Sequence, residues 1–131
     1  MNTYTFYQSY TIEIPNDNYI IISMRSFGPD NYLVLDLNDN DLRLYSPYEH
    51  SGLLLQRQLT SQEMSSVLSI FSSEEYLQVP ESNRKAAFDA TEISITSTLQ
   101  KREKHIHHTL PDDPMIERII RLYNELNEQV R

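Results

Sequence analysis

The chain of 131 residues contains no cysteine, and this absence excludes several kinds of chemistry at once. Without thiols there is no disulfide framework, no thiolate zinc site, no iron–sulfur cluster ligated by cysteine and no cysteine nucleophile. Glycine is also scarce, since the chain has only Gly28 and Gly52. A dinucleotide-binding loop needs three closely spaced glycines and a P-loop needs two, so the sequence carries neither nucleotide-binding motif.

Long apolar runs are missing as well. No stretch of about 18 apolar residues occurs, so we expect no membrane span. The first residues, 1–4, have neither the basic segment nor the apolar segment of a secretory leader, and we therefore expect a soluble cytoplasmic protein. With 39% hydrophobic residues, the composition predicts a single ordered domain over residues 1–131.

Basic residues are nearly absent from the first part of the chain. Between residues 1 and 81, eleven Asp and Glu stand against Arg25, Arg43 and Arg57, which gives a net charge of −8. The rest of the chain carries eight acids and eight bases and is neutral. A field of one sign repels nucleic acid and attracts basic surfaces. We therefore expect no nucleic-acid partner and favour a basic protein surface.

Alternation of apolar and polar residues predicts β-strands in the first part of the chain. Residues 4–14 keep one parity and predict a half-buried strand. The turn residues 15–18 then predict a hairpin with a well-buried strand over 19–24. Further strands are predicted over 32–37, around Leu42 and Leu44 before Pro47, and over 53–59 with Leu53, Leu55 and Leu59 facing inward.

A capping box predicts the first helix. Thr60 occupies the N-cap position and Glu63 the third helical position, and apolar residues follow at helical spacing as far as Phe71. Another helical turn is predicted over 74–77. The second part of the chain predicts strands over 90–99 and 104–110, the latter with Ile106, His108 and Leu110 on one face, and a final helix capped by Asp113 with Pro114 as its first residue.

The order of these elements predicts an α+β fold. Hairpin-connected strands separated by helices favour an antiparallel sheet, unlike the regular alternation of a parallel α/β fold. We expect a sheet of roughly six strands with two helices packed on one face, in the order β-β-β-β-(β)-α-β-β-α. The other face of the sheet would then meet solvent or a partner.

Two histidines form a weak candidate for a metal site. His105 and His107 share a face of the predicted strand and could both bind one metal ion through their imidazoles. Two histidines alone make an incomplete site, and the nearby Lys101, Arg102 and Lys104 disfavour a cation. An ordinary exposed strand is the simpler interpretation, so we expect no metal and no cofactor.

Residues 36–41 match the first half of a calcium-binding loop. The second half does not match, because Asp41 stands where the loop needs glycine and Pro47 where it needs glutamate. The flanking segments are predicted strands instead of helices. A hairpin turn rich in Asn and Asp explains the segment without calcium.

The sequence assigns no catalytic residue. No nucleophile-elbow motif is present, and the acidic pairs at 74–75 and 112–113 lie at helix starts, where the helix dipole favours them. An enzyme or small-ligand-binding protein is the least favoured hypothesis. It would require a pocket with polar groups, and the titratable residues to check would be His108, Glu92 and Asp89.

Nine tyrosines and no tryptophan suggest a protein-contact surface. Tyr7, Tyr19 and Tyr32 lie opposite the main apolar parity of their strands, so we expect exposed rings. Simple cross-strand packing is the alternative interpretation, and solubility is the alternative for the acids. The candidate partner-binding residues are Tyr7, Tyr19, Tyr32, Asp36, Asp39 and Asp41.

Two hypotheses of protein association follow. The favoured one is a small acidic domain of the inhibitor or immunity type, which binds a basic partner such as a toxin or an enzyme. The alternative is a structural or accessory domain that acts as a homodimer through a face or edge of its sheet. Charge segregation, tyrosine-rich strands and the lack of catalytic motifs favour the first hypothesis.

Overall fold

The computed structural model describes residues 2–6, 10–25, 31–46, 52–88 and 90–128, which form eight strands and three helices. The strands are β1 (Asn2–Phe6), β2 (Tyr10–Ile14), β3 (Tyr19–Arg25), β4 (Asn31–Asp36), β5 (Asp41–Tyr45), β6 (Leu53–Gln58), β7 (Glu92–Leu99) and β8 (Arg102–Thr109). The helices are α1 (Ser61–Phe71), α2 (Glu74–Leu77) and α3 (Pro114–Glu128).

Six of the strands form one antiparallel sheet in the order β6-β5-β4-β3-β7-β8. Strand β3 lies inside this sheet, with Ile22 opposite Leu33 of β4 and Ile95 of β7. The predicted α+β class is therefore confirmed.

The prediction of one strand over residues 4–14 is wrong. β1 and β2 instead pair with each other in a separate two-stranded sheet, with Phe6 opposite Tyr10. The predicted hairpin between residues 4–14 and 19–24 is also wrong, because β3 pairs with β4 and β7. The parity is continuous across 4–14 because residues of equal parity face each other in the β1–β2 register, so both strands turn their even-numbered residues to one side.

At its strands β3 and β4, the six-stranded sheet is apolar on both faces. On one face, Ile20 and Ile22 of β3 belong to a buried cluster that also contains residues of the helices, among them Val67, Phe71, Ile116 and Ile119. On the other face, Tyr19 and Ile21 belong to a second cluster. The other buried members of the second cluster are Phe6, Ile14, Tyr32, Val34 and Tyr45. Burial on both faces explains why β3 is a nearly continuous apolar run.

The predicted helix starts are confirmed. The Thr60 Oγ1 accepts a hydrogen bond from the Glu63 N–H at 3.1 Å, and the Glu63 Oε1 accepts one from the Thr60 N–H at 2.9 Å. At the start of α3, the Met115 N–H donates to the Asp113 Oδ1 at 2.8 Å. Within the described ranges, no helix has both the length and the apolar character that crossing a bilayer requires.

Two predicted inward-facing leucines are exposed. Leu53 is 45% exposed, since the pairing of β6 with β5 is irregular next to it, whereas Leu55 and Leu59 pack in the core as predicted. Leu110 is 48% exposed because β8 ends at Thr109 and Leu110 adopts a positive φ of 49°. Both errors arise where a strand departs from regular alternation.

Candidate functional site

The expectation of exposed tyrosine rings is wrong for Tyr19 and Tyr32, each of which is 6% exposed. The β1–β2 hairpin contributes Phe6, whose ring centroid lies 4.3 Å from that of Tyr32 and 5.3 Å from that of Tyr45. These tyrosines therefore pack under the hairpin and are not available to a partner. Tyr7 lies outside the described residues.

The three aspartates of the predicted site differ in their surroundings. Asp39 is exposed in the turn between β4 and β5, and Asp36 is half-buried at the end of β4. Asp41 is only 8% exposed. Its carboxylate accepts hydrogen bonds from the Arg43 Nε at 2.8 Å and from the Gln56 Nε2 at 3.2 Å. The negative charge of Asp41 is thus compensated by Arg43 inside the fold, whereas Asp36 and Asp39 face the surface.

Asp36 and Asp39 line an open concave surface of about 710 Å³ together with Glu13, Asp17 and Arg43. We call the four carboxylates Glu13, Asp17, Asp36 and Asp39 the acidic surface. The acidic surface combines the end of β2, the turn before β3 and the turn between β4 and β5. Glu13 and Asp17 were not among the predicted site residues, because the sequence pattern does not place the β1–β2 hairpin.

Side-chain hydrogen bonds join the first two turns of the acidic surface. The Asn18 Nδ2 donates to the Asn38 Oδ1 at 3.0 Å, and the Asn38 Nδ2 donates to the backbone oxygen of Asp17 at 3.1 Å. The Leu37 N–H also donates to the backbone oxygen of Asn18 at 2.8 Å. Asn18 adopts a positive φ of 62°, a conformation that asparagine tolerates better than most residues. The two turns are therefore held at a fixed separation.

A third turn, between β7 and β8, is bound to the same residues. The Gln100 N–H donates to the Asn18 Oδ1 at 3.1 Å, and the Lys101 N–H donates to the Asp17 Oδ1 at 3.0 Å. Asp36 fixes its own turn, since its Oδ1 accepts the N–H of Asn38 at 3.0 Å. Two of the four carboxylates thus have one oxygen bound by the backbone, which fixes their direction.

The acidic surface contains more negative than positive charge. Its lining cation is Arg43, which already pairs with Asp41 at 2.8 Å. The pKa of the Arg43 guanidinium is raised, and the largest cause is a hydrogen bond with Tyr45. Arg43 therefore stays charged. The carboxylates of Glu13 and Asp39 make no hydrogen bond and no ion pair with any described residue, and both residues are exposed. These two charges are available to an incoming cation.

The segment that resembles half a calcium loop is the turn between β4 and β5. The Asp36 Oδ1 accepts the N–H groups of Asn38 and Asp39, as in a turn closed by an aspartate side chain. In the part of the chain that the structure describes, no group of three or more His, Asp or Glu side chains is arranged to hold a metal ion.

His105 and His107 share one face of β8, as predicted, opposite Thr96 and Ser94 of β7. Their Nδ1 atoms lie 3.4 Å from the Thr96 Oγ1 and 2.8 Å from the Ser94 Oγ, respectively. The metal pair remains a weak candidate, since the described residues supply no third ligand of the usual kind.

One group of side chains has the residue types of a nucleophile, a base and a carboxylate, with His107 between Ser94 and Glu92. The His107 Nε2 lies 3.7 Å from the Glu92 Oε1, and the His107 side chain is 57% exposed. Ser94 lies within β7, between β3 and β8, so its backbone N–H belongs to the sheet and cannot stabilise an oxyanion. The arrangement is that of polar neighbours on an open sheet face.

The other residues named for a possible enzyme do not converge. His108 is 1% exposed, and its Nε2 lies 2.7 Å from the backbone oxygen of Pro80. Glu92 lies on the opposite face of the sheet, opposite Thr109 in the register. Asp89 lies outside the described residues.

A groove of about 390 Å³ lies between α1 and α3, with Glu63 and Glu125 among its lining residues. The hydrogen bonds of Arg57 are the main reason why the pKa of Glu63 is lowered to about 2. Glu63 is therefore ionised and held in an ion pair, which does not suit a general acid or base at neutral pH.

Comparison with models of known protein families finds no match, and comparison with curated proteins finds none either.

Proposed function

We propose that this chain is a small acidic protein-binding domain, of the inhibitor or immunity type, which binds a basic surface of a partner protein. The main support for this proposal is the acidic surface, where the four carboxylates line one concave region: Glu13, Asp17, Asp36 and Asp39. A toxin or an enzyme with a basic surface fits this description. The proposal includes no catalytic activity and no cofactor.

The charge of the whole chain supports a basic partner. The acidic surface belongs to residues 1–81, which carry the entire net charge of −8. Such a field steers a basic protein towards the acidic surface and speeds association, more than it adds to final affinity. The same field opposes nucleic acid and anionic membranes, which are therefore not part of the proposal.

The fixed geometry of the acidic surface also supports protein recognition. The turns that carry its carboxylates are joined by the hydrogen bonds of Asp17, Asn18 and Asn38. Carboxylates that are already in place lose less conformational entropy when lysine or arginine side chains bind them.

The shape of the surface favours a protein over a small ligand. Small-molecule sites bury most of the ligand surface and are lined mainly by apolar groups. The acidic surface is open, and eight of its ten lining residues are polar or charged, so a protruding basic segment of a larger partner suits it better. The lack of cysteine is compatible with a reducing compartment, and we include a cytoplasmic location in the proposal.

The experiment is affinity purification of the tagged protein from its native host at low salt, with three baits compared. The first is the wild type, and the second is the double variant Glu13→Gln/Asp39→Asn. The third is the control double variant Glu103→Gln/Glu117→Gln, which removes the same charge from exposed residues outside the acidic surface. Mass spectrometry then measures the recovery of each co-purified protein.

We expect a stoichiometric basic protein with the wild type and the control, released as the salt concentration rises. Its recovery with Glu13→Gln/Asp39→Asn should fall about tenfold or more, because two exposed carboxylates are lost. Equal recovery with all three baits, or recovery of no basic protein with the wild type, would contradict the proposed function.

A further inference from the structure

The two edges of the six-stranded sheet are treated differently. Its edge strands are β6 and β8, and an edge strand presents unpaired N–H and C=O groups that can pair with another chain. Proteins usually block such edges with charged side chains or with a covering segment.

Strand β8 is protected in both ways. The chain around Ser82 runs alongside it, where the His107 N–H donates to the backbone oxygen of Glu81 at 2.7 Å. Asn83 continues this cover, because its Oδ1 accepts the Thr109 N–H at 3.1 Å and its Nδ2 donates to the Thr109 oxygen at 2.6 Å. The strand also contains the charged residues Arg102, Glu103 and Lys104.

Among the residues that the structure describes, strand β6 has little protection. Its sequence is Leu-Leu-Leu-Gln-Arg-Gln, and Leu53 and Leu54 are 45% and 47% exposed. The pairing with β5 skips Leu54, because Leu53 lies opposite Tyr45 and Leu55 opposite Leu44. This irregularity leaves two leucines at the end of the edge.

The charged residue of β6 guards only one point of the edge, where the Arg57 Nη1 donates to the backbone oxygen of Gln58 at 3.1 Å. The Nη1 and Nη2 atoms of Arg57 bind the two carboxylate oxygens of Glu63 at 2.8 Å each. The Nη2 also donates to the backbone oxygen of Leu126 at 3.3 Å. The charge of the guanidinium is thus compensated by Glu63 of α1, so β6 presents no uncompensated charge.

The register shows which backbone groups of β6 point outward. The Leu59 N–H donates to the backbone oxygen of Asn40 at 2.7 Å, next to the Asp41–Gln58 pair. Hydrogen-bonded and non-hydrogen-bonded pairs alternate along an antiparallel ladder. The N–H and C=O groups of Gln58 and Gln56 therefore point away from β5, and of these four groups the Gln58 oxygen already accepts a hydrogen bond from the Arg57 Nη1.

We propose that β6 pairs antiparallel with β6 of a second copy of this chain, so that the sheet continues across a two-fold axis. Two copies of an edge strand that are related by a two-fold axis run antiparallel to each other, and the contact buries the same residues on both sides. In this dimer the outward N–H and C=O of Gln56 and the outward N–H of Gln58 gain partners. Leu53 and Leu54 lose part of their exposure.

Charge is the reason to choose a second copy as the occupant. Each copy carries a net charge of −8, so two copies repel each other wherever uncompensated acids meet. Strand β6 is neutral because Arg57 is paired with Glu63, and it brings leucines and glutamines into contact without like charges. A neutral edge on a strongly acidic chain suits another copy of itself.

The test is sedimentation velocity of the purified protein over a range of protein and salt concentrations. The variant Leu54→Lys puts a charge on the edge, and Leu53→Lys does the same at the neighbouring exposed position. Leu68→Lys is the matched control, because Leu68 is 38% exposed on α1. Circular dichroism verifies that each variant is folded.

We expect a wild-type dimer that tightens as salt screens the repulsion between the copies. The dimer dissociation constant should rise about tenfold or more in Leu54→Lys and Leu53→Lys, because the two-fold axis doubles each change, and should stay unchanged in Leu68→Lys. A wild type that is monomeric throughout, a dimer that dissociates in high salt, or edge variants that dimerise like the wild type would overturn the proposal. Binding of a basic partner weakens with salt, so the two proposals fail independently.

Discussion

Arg57 and Glu63 connect the end of β6 to the start of α1. Glu63 serves two purposes, since its Oε1 accepts both the Thr60 N–H and an Arg57 N–H. The side chains of Arg57 and Glu63 are 21% and 16% exposed, so the ion pair is partly shielded from water. Removing one partner of such a pair leaves the other charge uncompensated in a poorly solvated position.

The Glu63→Gln variant separates the ion pair from the helix cap, because glutamine also completes a capping box. In the folded protein the Glu63 pKa is about 2, below its ordinary value of 4.5. The ion pair therefore adds stability above pH 4.5, and this contribution is lost as the pH falls towards 2. We expect Glu63→Gln to lower the free energy of unfolding at pH 7 by about 1–3 kcal/mol, as measured by urea denaturation.

The difference between wild type and Glu63→Gln should shrink when the same denaturation is repeated at decreasing pH below 4.5. An equal difference at all pH values would show that the variant acts through helix capping or packing. Glu75→Gln serves as a control, because Glu75 is exposed and its oxygen lies 3.7 Å from Arg118 in a solvated pair.

Tyr76 and Ser97 form a buried hydroxyl pair between α2 and β7. The Tyr76 Oη lies 2.6 Å from the Ser97 Oγ, and the two residues are 1% and 2% exposed. Burial raises the Tyr76 pKa to about 12, and the hydrogen bond with Ser97 opposes this rise only in part. The hydroxyl therefore stays protonated at physiological pH.

We expect Tyr76→Phe to lower the free energy of unfolding by about 1–2 kcal/mol, because the Ser97 hydroxyl is left buried without this partner. The phenyl ring keeps its contact with Phe71, whose centroid lies 4.9 Å away. The double variant Tyr76→Phe/Ser97→Ala should cost less than the sum of the single variants. Additive costs in this cycle would show that the two hydroxyls do not stabilise each other.

At the scale of elements, the β1–β2 hairpin is attached to the main sheet mainly through side chains. The two sheets share no strand pairing among the residues that the structure describes. Phe6 is 0% exposed and sits among Tyr4, Tyr32 and Tyr45, with ring centroids 4.3 to 5.4 Å away for these three partners. The attachment of the hairpin therefore depends on this aromatic cluster.

We expect Phe6→Ala to detach the hairpin more readily than it unfolds the sheet. Loss of a buried phenylalanine costs about 3–5 kcal/mol, and that energy holds the hairpin in place. Hydrogen exchange of the β1 and β2 amides should speed up at least tenfold while the β3 and β4 amides stay protected. The exposed Thr3→Ala is the control. Equal acceleration in all four strands would mean that hairpin and sheet unfold as one unit.

Local patterns predicted the elements better than their arrangement. The capping residues Thr60, Glu63 and Asp113 act through neighbours in sequence, so their spacing was sufficient to place both helix starts. The hairpin was missed because residues 4–14 keep one parity on both of its strands. Tyr19 and Tyr32 were expected to be exposed because their periodicity was interpreted for a sheet with one buried face, whereas β3 and β4 are covered on both faces.

The acidic surface was only partly predictable for the same reason. Asp36 and Asp39 were identified from the charge and turn composition of their own segment. Glu13 and Asp17 join them through the position of the hairpin and through contacts distant in sequence, such as that between the Lys101 N–H and the Asp17 Oδ1. Single-sequence patterns carry no information on such contacts.

For the molecule as a whole, the two proposed interactions differ in how they depend on salt. The acidic surface should bind a basic partner more weakly as salt rises, whereas the β6 edge should bind a second copy more tightly. The double variant Glu13→Gln/Asp39→Asn should therefore impair binding of the partner and leave the dimer intact. Leu54→Lys should do the reverse.

The most direct test of the acidic surface is the association rate constant of the recovered basic partner, measured by stopped flow at increasing ionic strength. We expect a rate constant that falls steeply with salt for the wild type and for Glu103→Gln/Glu117→Gln. For Glu13→Gln/Asp39→Asn we expect slower association and a flatter dependence on salt. The same rate constants and the same slope for all three proteins would contradict the proposed function.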